Sequence, residues 1–275
     1  MAIHSTAIIG KRVELDPTVD VGPYVIIEDD VTIGRGTRLY AGCYIATGTR
    51  MGADCAIHPH AVIGHHPQDL GWDGAPSTTE IGDGTVFREG AQVHRGTGAG
   101  TRTVVGKRCY IMANAHIAHN CVVGDEVKMA NCALLAGHVH LGSRSFISGA
   151  SAVHQFARLG ELCMISGGTF VRRDVPSFMT FTNAGVMGVN TIGLRRAGLT
   201  SAERIEIRAA YRMLYRENIP PNQAREEVVR MLKTPAGLRL AEFLTAPSKR
   251  GLAASGYRRR SRFVEPGAEM ETSVE

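Results

Sequence analysis

Large aliphatic side chains return every sixth residue along the first two thirds of the chain. Steps of six from Ile9 meet Leu15, Val21, Ile27, Ile33, Leu39, Ile45, Met51, Ile57 and Ile63. The frame resumes at Ile81, Phe87 and Val93, then runs from Val105 through Ile111, Ile117, Val123, Met129 and Leu135 to Val171. Within these ends only Asp69 is polar, and only Ala75 and Ala99 are small. A six-residue period fits neither a 3.6-residue helix nor a two-residue strand alternation. It predicts short strands joined by sharp corners, with one aliphatic side chain per hexad turned inward. Three hexads close a triangular coil, and coils stacked about 4.8 Å apart bury a continuous column. Glycine often follows the aliphatic position (Gly10, Gly22, Gly34, Gly52, Gly106, Gly124, Gly142) and is expected to turn the corner.

Two stretches interrupt the column, His65 to Glu80 and Gly96 to Thr103. The frame survives both, so each is an excursion from the coil, and loops on a rigid scaffold are common places for binding residues. After Val171 the hexads stop, and a connection follows to Asn190. Thr200 and Glu203 then form a capping box. It opens a helix to about Arg216 with Ile205, Ala209, Met213 and Leu214 on one face. Further helices are expected near 223–233 and 236–244. The domain reading is a β-helix over 1–189, a helical domain over 190–252, and a disordered basic tail over 253–275 containing Arg258, Arg259, Arg260 and Arg262.

Composition adds exclusions. The chain has 275 residues with 44% hydrophobic and 21% charged, enough to bury a core without disulfides or metal. No apolar run is long enough to span a bilayer, and the opening Met1-Ala2-Ile3-His4-Ser5 lacks a basic-then-apolar leader. The six cysteines, with no CxxC pair, read as reduced thiols of a cytoplasmic protein. The net charge of +5 is modest but arginine crowds the last third, which suggests an acidic partner there.

Of eleven histidines, the densest group is His116-Ile117-Ala118-His119. Ile117 is an inward position, so His119 points outward or sits near a corner. One coil later come Gly137 and His138. Stacked histidines beside a glycine N–H make a plausible acid–base site with an oxyanion donor. A surface or structural histidine is an equal reading of His119 from spacing alone. Zinc held by His116, His119, His138 and His140 is a weaker alternative.

The hexads together with Pro67-Gln68-Asp69-Leu70, Arg88 to Thr97, His116 to Cys121, Leu135-Ala136-Gly137-His138-Val139, Ala152-Val153-His154-Gln155-Phe156 and Gly188-Val189-Asn190 closely resemble the acyl-ACP:UDP-N-acetylglucosamine O-acyltransferase family of lipid A synthesis. The resemblance covers about residues 3–252. It implies a mainly β fold, a left-handed parallel β-helix, forming a homotrimer with a C-terminal α-helical domain. It implies transfer of a 3-hydroxyacyl chain from the phosphopantetheine of acyl carrier protein to the 3-hydroxyl of UDP-N-acetylglucosamine. No cofactor, no metal, no nucleic acid and no stable membrane insertion are implied. His119 matches the general base and Gly137 the oxyanion donor. Asp69, His116, His138, Gln155, Asn190 and Arg196 match substrate-binding positions, and Gly167 matches a position that limits acyl length. Arg195 and Arg196 are candidates for meeting the acidic carrier. Two departures stand out: Asn120 follows the base where the family often has Asp, leaving a backbone carbonyl or water to orient His119, and Gly71 stands where a lysine is common. They leave open a 3-amino acceptor and an amide product. An acetyl-CoA-dependent sugar acetyltransferase and a γ-type carbonic anhydrase are the rival readings.

Overall fold

The computed structural model describes residues 2–257. Twenty-six two- to four-residue strands wind into a parallel β-helix of triangular section, followed by an antiparallel pair and four helices. The coil is left-handed. Its strands stack into three sheets, which we call the first, second and third faces. They begin at Ala2–Ile3, Ile8–Ile9 and Glu14–Leu15. Regular rungs repeat after 18 residues, as in the pairing of Lys11 with Asp29. At the excursions the offset becomes 30 residues (Ala53 to Asp83) and then 24 (Thr85 to Cys109). Each insertion is therefore a whole number of hexads, which is why the hydrophobic frame survives it.

The inward column is as the period predicts. Ile27, Ile45, Ile63, Val93, Ile117 and Leu135 follow one another on the second face, each at most 1% exposed. A second buried row lies two residues before each aliphatic position and takes smaller side chains. Five of the six cysteines sit in it (Cys43, Cys55, Cys109, Cys121, Cys163), while Cys132 is exposed. Burial pushes the Cys43, Cys121 and Cys163 thiols up to about 12, so they are packing residues and poor nucleophiles.

The glycines correct the expectation for corners. The left-handed turn lies three residues after the aliphatic position and is mostly not glycine: Arg12, Asp30, Asn120, His138 and Phe156 have φ of 53, 56, 58, 60 and 66°. The glycine directly after the aliphatic residue is needed for another reason. A Cβ on Gly106 would come 2.6 Å from Gly124 C, and one on Gly142 2.4 Å from Glu161 N. Adjacent rungs approach too closely there for any side chain.

Past the hexads, the connection contains an unforeseen pair of antiparallel strands, Met179–Thr182 and Gly185–Val189. Four helices follow: α1 (Thr191–Arg196), α2 (Ser201–Tyr215), α3 (Pro221–Met231) and α4 (Pro235–Thr245). The Thr200–Glu203 capping box is formed. The expected apolar face of α2 is covered only in part: Met213 and Leu214 pack against the core, but Ile205 is 64% exposed, and Ile207, Ala210 and Tyr215 are the fully buried positions. α3, α4 and the strand Gly185–Val189 all pack against α2, and these partners choose which of its apolar stripes is covered. Residues 253–256, read from sequence as the start of a disordered tail, pair with Val186 and Asp174 instead. The rest of that segment, with Arg258, Arg259, Arg260 and Arg262, lies outside the described residues. Among the described residues no helix is long and apolar enough to cross a membrane.

Candidate active site

Both excursions leave the coil at the same edge, between the second and third faces. Residues 66–77 bridge strands Val62–His65 and Thr78–Ile81, and residues 95–101 bridge Gln92–His94 and Arg102–Val105. The next rung turns that edge at His119-Asn120. His119 is thus a corner residue, its side chain 12% exposed and away from the aliphatic interior.

The hydrogen bonds around its ring fix its tautomer. Thr97, in the second excursion, donates its backbone N–H to Asn120 Oδ1 (3.1 Å). An N–H is an obligate donor, so this Asn120 atom is the amide oxygen. The same oxygen lies 2.8 Å from His119 Nδ1, which therefore carries the proton. The Thr97 hydroxyl is 2.6 Å from Nδ1 and donates to Asn120 Oδ1 at 2.8 Å. Asn120 is held in turn by its own N–H donating to Thr103 Oγ1 (2.8 Å). Nε2 is left with its lone pair, facing Asp69 Oδ2 at 3.6 Å, beyond hydrogen-bond distance. Asp69 reaches this position because its other oxygen accepts from Gly71 N (2.9 Å), tightening the first excursion. Asn120 and Thr97 thus do what the sequence reading left to a backbone carbonyl or water. Thr97 is a site residue that the reading missed; its one sequence signal is its place in an excursion that preserves the frame.

Gly137 lies directly under the base. A Cβ there would come 2.5 Å from His119 Cε1 and 2.6 Å from Nε2, so only glycine admits the ring. Among the described residues its N–H makes no hydrogen bond, while its neighbour His138 donates its N–H to His119 O (3.0 Å). The His138 ring meets His119 edge-on at 5.2 Å between centroids and stacks on Phe156 at 4.7 Å. Burial, with the nearby His119 and Lys249, lowers the His138 pKa. His116 packs against His94 at 5.0 Å, and burial pushes it down to about 4. Neighbouring imidazoles are thereby kept neutral near pH 7.

A groove of about 660 Å³ opens beside this corner along the second face. Gln68, His116, Gln155 and the apolar Leu134, Ala152 and Phe170 line it. Of the expected site residues, His119, Gly137, Asp69, His116, His138 and Gln155 are therefore gathered at one edge. Asn190, Arg196 and Gly167 are not. Asn190 caps α1 by accepting from Gly193 N (3.0 Å), donates to Leu162 O (2.8 Å), and with Arg196 lines a separate groove of about 1010 Å³ on the first face. Gly167 sits at the corner between the first and second faces, where a Cβ would make only ordinary contacts, with Gly149 O at 3.5 Å and Ser148 Cβ at 3.9 Å, so the fold itself does not demand glycine. His140 lies on the third face, apart from His116 on the second, and among the described residues no three potential ligands converge for a metal ion.

Residues 174–253 match the family described as UDP N-acetylglucosamine O-acyltransferase, domain 2, and residues 30–65 and 102–137 match the bacterial transferase hexapeptide family. The acyl-[acyl-carrier-protein]–UDP-N-acetylglucosamine O-acyltransferase of Thermodesulfovibrio yellowstonii is 41% identical over 254 residues, 91% of this chain and 98% of that one. Its counterpart in Gloeothece citriformis is 41% identical over 233 residues, 82% of this chain and 78% of that one. The crystal structure of UDP-N-acetylglucosamine O-acyltransferase from Moraxella catarrhalis superposes with a TM-score of 0.87 at 35% identity, covering 92% of this chain and 99% of that one.

Proposed function

This chain belongs to the UDP-N-acetylglucosamine O-acyltransferase family, and from that premise we propose that His119 is its general base. The enzyme transfers an acyl chain from acyl carrier protein to UDP-N-acetylglucosamine, the first step of lipid A synthesis. In our reading His119 Nε2 takes the proton of the sugar 3-hydroxyl as that oxygen attacks the thioester carbonyl. The tetrahedral oxyanion forms against the Gly137 N–H. Collapse breaks the carbon–sulfur bond, and His119 returns the proton to the departing pantetheine thiolate. Asp69 opposite Nε2 orients the acceptor, and the groove past Leu134 and Ala152 takes the 3-hydroxyacyl chain.

The observation that carries this reading is the tautomer lock. A base needs a bare Nε2, and the Thr97–Asn120 network supplies it. His119→Ala is expected to lower kcat by roughly 10³-fold or more with the melting temperature unchanged. Turnover within tenfold of the parent would remove His119 from this role. Mass spectrometry of products from 3-hydroxyacyl carrier protein, offered UDP-N-acetylglucosamine and its 3-amino analogue together, distinguishes an ester from an amide.

Asn190, Arg196 and Gly167 enter the site, in this proposal, from a neighbouring copy of a homotrimer in the cytoplasm. Support comes from the two grooves lying on different faces of one chain, so that a second chain can close one against the other. Co-expressed His119→Ala and Arg196→Ala subunits are then expected to recover activity that neither has alone. No recovery would keep the site within one chain.

A further inference from the structure

The left-handed positions of successive rungs form a column along the catalytic edge: Asn120, His138, Phe156. The column ends in a cation. Lys249 Nζ lies 4.4 Å from the centre of the Phe156 ring, on the face of a stack that runs through His138 to His119. The segment bearing it is tethered. Gly251 N donates to Ser248 Oγ (2.8 Å), Asp174 N donates to Gly251 O (2.9 Å), and Arg250 Nε donates to Arg172 O (3.1 Å). The lysine is thus presented by a fixed turn.

Among the described residues no carboxylate answers this charge. Lys249 makes no ion pair among the described residues, whereas nearby Arg158 is bound to Asp174 at 2.7 Å and Arg239 to Glu161. The Arg172 guanidinium, 5.1 Å from the centre of the Phe170 ring that lines the apolar groove, is a second positive charge, and its backbone oxygen accepts from Arg250 next to Lys249. An unanswered ammonium beside a transferase site is a place for an anion. Both substrates of the reaction carry one, a phosphate diester or a diphosphate. On the sugar it is attached at the anomeric carbon, two ring atoms from the 3-hydroxyl. On the donor it lies at the far end of the pantetheine arm.

We propose that Lys249 binds the phosphate of a substrate at the open end of the His119–His138–Phe156 column. The proposal rests on the placement of the reaction at His119, and nothing in the base chemistry requires Lys249. The test is steady-state kinetics on the full-length Lys249→Ala, Lys249→Glu and Lys249→Arg variants. Both substrates are varied, and the donor is also supplied as acyl-phosphopantetheine without its protein. One KM is expected to rise about tenfold in Lys249→Ala and further in Lys249→Glu, with kcat within twofold and Lys249→Arg near the parent. A rise confined to UDP-N-acetylglucosamine assigns the diphosphate, and one for both forms of the donor assigns the pantetheine phosphate. A rise for the carrier protein but not for acyl-phosphopantetheine, or no change in either KM, overturns the proposal. Calorimetric titration of the parent and Lys249→Ala with the two small ligands needs no turnover. It therefore decides the matter even if the parent proves inactive and the functional reading itself fails.

Discussion

The edge between the second and third faces can be compared with itself at two heights. Near the N-terminus its corners carry Lys11, Arg12, Asp29 and Asp30. Arg12 Nη2 meets Asp30 Oδ2 at 2.8 Å, and both side chains are more than 40% exposed. Five rungs up, the equivalent corners carry His119, Asn120, Gly137 and His138, with the same left-handed turn at Asn120 and His138. Corner geometry therefore does not make a site, because every regular rung has it. The upper corners differ in two respects. Their side chains are imidazoles and a glycine that stack without competing carboxylates on the same column. And both excursions, inserted just before them at this edge, bring Asp69 and Thr97 against the ring from outside the repeat. Exposed ion pairs contribute little and leave nothing to react; a half-buried base with one nitrogen satisfied is poised to act.

The comparison can be broken most severely at Gly137. A methyl there collides with the His119 ring, so Gly137→Ala is expected to cost roughly 10²- to 10³-fold in kcat with little loss of thermal stability. Lys11→Ala, at the matching position of a lower rung, should leave kcat unchanged. Equal losses from the two would show that the corner serves the coil alone.

Asn120 sharpens the contrast on a smaller scale. Asn120→Ala removes the acceptor that fixes the tautomer and is expected to lower kcat about tenfold, with the melt preserved. Asn120→Asp keeps the acceptor and adds a charge that stabilises the imidazolium. The acid limb of the kcat/KM profile should then move to higher pH. A limb that stays in place would mean that this side chain does not face the base in solution.

The smallest effect separates the two halves of the edge by pH. His116 is held near 4 by burial, against 6.5 in the unfolded chain. Between those values the unfolded chain binds more protons, so stability rises with pH through the window. The contribution is complete above 6.5 and is lost as the pH falls toward 4. Asp30, held below the usual carboxylate range by its hydrogen bond from Arg12, loses its contribution only under more acid conditions. Urea midpoints are therefore expected to fall between pH 7 and 4.5, and to fall less in His116→Gln. An equal fall in that variant would assign the acid sensitivity elsewhere.

How much of this was legible in the residues divides along similar lines. Ile117 fixes the phase of its hexad, and the 18-residue coil by itself brings Gly137 and His138 to His119. The glycines were located correctly but given the wrong task, because periodicity reports that a position is special and not whether φ or rung spacing makes it so. The face of α2 was misread at Ile205, since a short amphipathic helix has several acceptable apolar stripes and its packing partners choose among them. Arg95 shows the same limit. Its buried guanidinium donates from Nε to Gly64 O (2.9 Å) beneath the first excursion, a contact no local pattern announces.

By itself, then, the sequence determined the coil, its inward column, the stacking order of its corners and the edge on which the histidines meet. Those follow from a repeat in which each residue's neighbours are other members of the same repeat. Tertiary structure alone decided that Asp69 and Thr97 close on that edge, that the Asn120 oxygen frees Nε2, and that Asn190 and Arg196 line a different face from His119. Such contacts join non-repeating loops to the coil, and their geometry is set by packing between segments that no period relates.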